Sequence, residues 1–72
     1  MTQPIKEFKL KAEFIELDNL LKVMQVVASG AEAKNLIQAN SVKVNGVIES
    51  RIRRKLTKGD CVEFKDERIL IL

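Results

Sequence analysis

The side chains best suited to chemistry in this sequence are cationic and crowded together. Lys43, Arg51, Arg53, Arg54, Lys55 and Lys58 fall within residues 43–58, and Glu49 is the single acid among them. Residues 1–42 are neutral, with five lysines against five acids, and residues 59–72 carry more acid than base. The net charge of +3 therefore originates in the middle of the chain. A positive field concentrated in this way suits a polyanion better than a uniform solvation coat does. Three of the four arginines lie in the run, and a planar guanidinium can bridge two phosphate oxygens where an ammonium acts as a point charge.

Other chemistries lack their parts. There is no histidine, which removes the commonest general base near neutral pH and the commonest metal ligand. Cys61 is alone, so it forms no internal disulfide and cannot build a zinc or iron–sulfur centre. The three glycines form no phosphate-loop pattern. Asp60 and Glu63 alternate onto opposite faces of a strand, and Ser29 reads as a helix cap rather than a nucleophile. The expectation is a protein that is not an enzyme, with no catalytic residues, metal or cofactor. A lone thiol fits a reducing compartment. No apolar run of about 18 residues offers a membrane span and no secretory core is evident, so a cytoplasmic location without membrane contact is expected.

Seventy-two residues predict a single domain, 1–72. A chain this short buries only roughly 60% of its unfolded surface, which leaves little material for a catalytic cleft. The apolar fraction of 46% is too high for a disordered tail.

The elements that must carry the cations follow from periodicity. Ile5 to Ala12 alternates, with Phe8, Leu10 and Ala12 on one side, behind Pro4; this predicts a strand with one wet face. The three phenylalanines, Phe8, Phe14 and Phe64, read as core residues, which argues against an aromatic platform for stacked bases. Leu17, Leu20, Leu21 and Met24 have helical spacing, with no good cap at the start and an indefinite end at Val26 and Val27. Ser29 and Glu32 form a Ser-x-x-Glu capping box for a second helix, with Ala33, Leu36 and Ile37 buried, Lys34 and Gln38 on a flank, and Asn40 as a left-handed terminator. The helices should pack as a hairpin. From Val42 the period changes to two. Asn45-Gly46 predicts a type I′ turn, and Val47 and Ile48 form the return arm. Residues 49–55 read as an exposed edge or loop, with Leu56 as a lone anchor. Lys58-Gly59-Asp60 is a turn. Cys61 to Phe64, Asp66-Glu67 and Arg68 to Leu72 form a closing hairpin. The last strand is apolar on both faces, one toward the helices and the other toward the N-terminal strand or a partner. The fold class is α+β: a two-helix hairpin on a small, mostly antiparallel, twisted β-sheet.

The segment from Glu16 to Gly46 resembles the RNA-binding module named after small-subunit ribosomal protein S-four, also called the αL motif. Glu16-Leu17-Asp18 followed by Leu20 and Leu21 matches its first helix. Ser29-Gly30, Ala33 and Ile37 match its second, and Val42-Lys43-Val44-Asn45-Gly46 matches its ending in full. Leu56, Gly59 and Asp60 follow in the usual order, with Val62 and Phe64 in the next strand, so the core motif spans 16–64. The chain is similar to minimal stand-alone members of the family, the YbcJ/YaaA-like small proteins, in Ser29 to Lys34 and in the run Glu49, Arg51, Arg53, Arg54, Lys55. Glu16 and Gly30 stand where larger members carry basic residues that approach phosphate. The resemblance therefore carries the fold across, and not the docking pose.

The functional expectation is non-catalytic binding of structured RNA, ribosomal or transfer RNA, in translation or ribosome assembly. Lys34, Gln38, Lys43, Arg51, Arg53, Arg54, Lys55 and Lys58 are the candidate contacts on one basic face, and a monomer is favoured. Folded RNA is preferred over single strands because stacking residues are few. DNA is the weaker choice because no helix carries enough outward base-reading side chains. Two alternatives stand beside this reading: a protein-interaction adaptor working through Ile69 to Leu72, and an accessory domain that delivers RNA to a separate modifying enzyme.

Overall fold

The computed structural model describes residues 5–65 and 67–72; Pro4 and Asp66 lie outside the described residues. In chain order the elements are β1 (Ile5–Phe8), β2 (Ile15–Glu16), α1 (Leu17–Val23), α2 (Gly30–Gln38), β3 (Val42–Val44), β4 (Val47–Ile48), β5 (Lys55–Leu56), β6 (Cys61–Phe64) and β7 (Glu67–Ile71). A five-stranded sheet runs β1-β7-β6-β3-β4, and β2 pairs with β5 in a separate two-stranded ribbon. Every pairing is antiparallel except β1 with β7. The α1–α2 hairpin packs against this mixed sheet, as the α+β reading requires.

Period-two burial decides which face of the sheet meets the helices. Val42 and Val44 of β3, Val62 and Phe64 of β6, and Ile69 and Ile71 of β7 are all buried. They share one core with Leu17, Leu20 and Leu21 of α1 and Ala33 and Ile37 of α2. Burying side chains of this size stabilises by about 1.5–3 kcal/mol each, so this layer holds most of the cohesion available to a short chain. Lys43 alternates onto the opposite face, in register with Glu63 and Ile48.

The helices begin and end by different means. Glu16 precedes α1 with no side-chain cap, whereas the Ser29 hydroxyl accepts from the Glu32 amide of α2. The returning carboxylate of Glu32 meets the Ala28 amide at 3.5 Å, one residue earlier than the capping box predicts. Both helices end in the same left-handed motif. Gln25 (φ 60°) and Asn40 (φ 59°) occupy its key position. Val26 N–H donates to Leu21 and Ser41 N–H to Leu36, while Gln25 and Asn40 N–H donate to Lys22 and Ile37. These paired bonds satisfy carbonyls that a helix end otherwise leaves open. The indefinite end of α1 is thus a definite stop at a glutamine.

The hairpin signal at Asn45-Gly46 is realised, with φ of 54° and 84°. Several expectations are corrected. The first strand stops at Phe8 rather than Ala12; Leu10 is still buried, but Ala12 is exposed, its single methyl offering little area to bury. Phe14 is 39% exposed instead of belonging to the core. Leu56 is not a lone anchor, because β5 sets it opposite Ile15. The second contact of the last strand is made through its edge rather than a face: β7 lies between β1 and β6, and Leu10 and Leu72 extend the β1 pairing through backbone bonds.

Candidate nucleic-acid interface

The cationic run forms a ribbon between β4 and β5, and the first turn of α1 fixes its course. Leu17 N–H donates to the Arg54 carbonyl at 2.9 Å, and Asp18 N–H to the Ile52 carbonyl at 3.1 Å. Two amides at an uncapped helix start thus find acceptors in the ribbon. Ile52 packs on the core and Leu56 is fully buried. With these residues turned inward, Arg51, Arg53 and Lys55 are exposed and Arg54 is half-buried. All four cations line one open depression of about 580 Å3.

Glu49 lies beside this depression and is only 7% exposed. Its amide donates to the Val42 carbonyl, which holds it against β3. Oε2 accepts from the Arg51 amide at 3.1 Å and from Arg51 Nε at 3.0 Å. Oε1 accepts from Arg51 Nη2 at 3.1 Å and from Arg54 Nη1 at 2.7 Å. Side-chain bonds from Arg51 and Arg54 outweigh burial and lower the carboxyl from 4.5 to about 2. The hydrogen bonds and charge of Glu49 in turn raise the Arg51 guanidinium above its ordinary value. Two of the four cations therefore grip one carboxylate, which stays ionised throughout the neutral range.

A second tie fixes the neighbouring turns. Asn45 Nδ2 donates to Asp60 at 3.0 Å, and Asn45 Oδ1 accepts from the Cys61 amide at 2.9 Å. Asp60 also accepts from the Thr57 amide at 2.8 Å. Burial pushes the Asp60 carboxyl up, but bonds from Asn45 and Thr57 and the charge on Arg54 outweigh it and hold the group below its usual value. The Asn-Gly and Lys-Gly-Asp turns are therefore tied to each other through side-chain bonds.

The remaining candidate residues lie elsewhere. Lys43 shares a smaller depression of about 200 Å3 with Asn40, Ser41, Glu63 and Lys65. Lys34 and Gln38 are exposed on α2, and Lys58 is exposed in the turn before Gly59; none of these three lines either depression. Of the eight candidates, Arg51, Arg53, Arg54 and Lys55 line one hollow and Lys43 lines another. Three residues beside these hollows escaped the sequence reading. In sequence Glu49 is an opposing charge and the first residue of the family-like run, Lys65 lies in an acidic stretch, and Phe14 reads as a core residue. The Lys55 ammonium sits 4.8 Å from the centre of the Phe14 ring, a cation–π distance. The pairing of Glu16 with Lys55 across β2 and β5 was the missing signal, and neither strand is long enough to show periodicity. Among the described residues, no group of three or more His, Cys, Asp or Glu side chains could hold a metal ion.

A helical hairpin on a mostly antiparallel sheet, with an Asn-Gly turn leading into a basic ribbon, defines a class, and residues 8–72 match the S4 domain model. The chain belongs to the S4 domain family. It is 37% identical over 62 residues to YbcJ of Escherichia coli (strain K12), a candidate RNA-binding protein, covering 86% of this chain and 89% of that one. It is 37% identical over 65 residues to RlbA of Bacillus subtilis (strain 168), a candidate ribosome maturation protein, covering 90% of this chain and 87% of that one. The solution structure of E. coli YbcJ, described as having an αL motif involved in RNA binding, superposes with a TM-score of 0.69 at 32% identity, covering 100% of this chain and 90% of that one.

Proposed function

We propose that this protein binds structured RNA without catalysing a reaction on it, and that the Arg51–Lys55 ribbon is its main contact. One observation supports the placement: four cations line a single open hollow, and the buried carboxylate of Glu49 beside them is already engaged by two of the arginines. Arg53 and Lys55 reach phosphate directly, Arg51 and Arg54 present their unused N–H donors beside them, and Lys34, Gln38, Lys43 and Lys58 extend the contact or steer the approach. Backbone contacts of this kind fix position and carry little sequence information. Helical junctions and loops, which hold phosphates and 2′-hydroxyls in a fixed array, are the matching targets. The resemblance to a candidate ribosome maturation protein supports ribosomal RNA as the substrate class, bound in the cytoplasm during ribosome assembly; transfer RNA has the same chemistry. The adaptor reading through Ile69 to Leu72 has little surface to use, since Ile69 and Ile71 are buried in the core. No helix among the described residues is long and apolar enough to cross a membrane.

The test is a salt series of binding to a labelled three-helix-junction RNA. About 3–6 phosphate contacts predict an affinity that falls steeply with salt, with a logarithmic slope of roughly −3 to −5. The triple variant Arg51→Ala, Arg53→Ala, Arg54→Ala should flatten that slope by about 2–3. Binding weaker than about 100 μM at low salt, together with no change in the triple variant, rejects the proposal.

A further inference from the structure

A carboxylate beside a phosphate-binding surface should weaken it, and replacing Glu49 by a neutral residue should then improve RNA binding. The geometry around Glu49 points the other way. An ionised carboxylate offers about four lone-pair sites, and here four donors occupy them: the Arg51 amide, Arg51 Nε, Arg51 Nη2 and Arg54 Nη1. No acceptor site remains to face a phosphate. The acid is 7% exposed, while the Arg51 side chain bound to it is 73% exposed. Arg51 meets Glu49 through Nε and Nη2, so the far edge of its guanidinium, Nη1, stays open to solvent. Arg54 uses only Nη1 and keeps Nε and Nη2. Glu49 therefore takes one side of each guanidinium and leaves another side available.

We propose that Glu49 is a positioning residue for RNA binding: it fixes Arg51 and Arg54 in one arrangement beside Arg53 and Lys55, so that removing its negative charge weakens binding although the surface becomes more positive. The inference rests on the proposed RNA-binding reading and gives Glu49 a role within it. The physical reason is conformational. Arginine is among the side chains with the most rotamer freedom to lose on binding. Immobilising such a chain at an interface weakens binding unless the chain is already held. Glu49 holds two of them before RNA arrives. It can do so because the hydrogen bond from its backbone N–H to the Val42 carbonyl and its burial beside β3 leave it little freedom of its own. Arg53 and Lys55 carry no such restraint from Glu49 and depend on the ribbon backbone for their placement.

Charge and positioning predict opposite signs, which makes the experiment decisive. Binding of a labelled three-helix-junction RNA would be measured for the full chain and for Glu49→Gln, Glu49→Asp and Arg51→Lys, at a temperature where circular dichroism shows each folded. Positioning predicts about tenfold weaker binding for Glu49→Gln, and several-fold weaker binding for Glu49→Asp, which keeps the charge but falls short of both guanidinia. Arg51→Lys keeps the cation, removes the two-pronged grip, and should also lose several-fold. Because Arg51 is largely exposed, this variant covers the case in which a change at Glu49 prevents folding. The side-chain Nε–H resonance of Arg51, protected from exchange in the free protein, should become fast-exchanging in Glu49→Gln, a readout that a general loss of stability would not localise. Equal or tighter binding by a folded Glu49→Gln, or unchanged binding by Arg51→Lys, overturns the inference. No binding by the unaltered protein rejects the functional reading and this inference together. Unaltered-protein binding with unaffected variants rejects this one alone.

Discussion

The arginine-lined hollow and the hollow beside Lys43 both offer cations, yet only in the first are two of them gripped by a buried carboxylate. Arg51 and Arg54 are bonded to a buried carboxylate, and backbone bonds to α1 fix the ribbon that carries them. Lys43 and Lys65 share their hollow with Glu63, whose carboxylate is 3.8 Å from Arg68. Among the described residues, no hydrogen bond or ion pair holds either lysine, and the Lys65 ammonium rests 5.3 Å from the Phe64 ring centre. A long flexible stem ending in a hydrated ammonium loses rotamer freedom when it binds, whereas a guanidinium already gripped on one side loses less. In the proposed reading, the first hollow docks a phosphate ribbon and the second attracts it from a distance.

The largest expected effect sets the two hollows directly against each other. Arg53→Ala with Lys55→Ala should weaken binding to the junction RNA about 100-fold, equivalent to about 2.7 kcal/mol. Lys43→Ala with Lys65→Ala should cost only about threefold and act mainly on the association rate. Equal losses in the two double variants, measured by fluorescence anisotropy and stopped flow, would erase the distinction.

Acid provides the next test. The Glu49 carboxyl lies near 2 in the folded chain and at 4.5 otherwise. A depressed carboxyl stabilises the fold fully above its unfolded value, and that contribution is lost as pH falls from about 4.5 toward 2. The shift sets a ceiling of about 3 kcal/mol, reduced to about 2 because Arg51 is open to water. Asp60, also lowered, adds in the same direction. Urea unfolding at pH 7 and pH 3 should show this loss, and Glu49→Gln should show less of it. No such acid loss would mean that the Glu49 grip is absent in solution.

The smallest effect checks that stability and docking can be separated. Gln25→Gly relieves a left-handed strain of about 1 kcal/mol, offset in part by the greater freedom of glycine in the unfolded chain. It should stabilise by roughly 0.5 kcal/mol and leave RNA affinity unchanged, since Gln25 lines neither hollow. An altered affinity would show that the helix ends are coupled to the interface.

Features encoded by short contiguous patterns were legible in the sequence. Ser29 capped its helix, Asn40 and Asn45-Gly46 took positive φ, and the leucine stripe of α1 and the paired positions Val42 with Val44 and Val62 with Phe64 were buried. The cationic run was visible from composition alone. What stayed hidden depends on groups that meet only in space. Two-residue strands such as β2 and β5 carry no period. Phe14 is exposed because the ribbon brings Lys55, not a core leucine, over its ring. Burial of Glu49 runs against every propensity for a carboxylate and is possible only because two guanidinia from further along the chain fold back onto it. Gln25 ends α1 in a conformation usually taken by glycine or asparagine, so its residue type did not mark the local helix-end bonds that form around it.

The two amides of α1 that bond to the Arg54 and Ile52 carbonyls join a helix and a loop into one opening unit. Fraying of the helix start releases the ribbon, and a ligand seated on the ribbon opposes that fraying. If the ribbon is the contact, occupancy at the surface should be reported inside the fold, as slower solvent exchange of the Leu17 and Asp18 amide protons, neither of which needs to touch RNA.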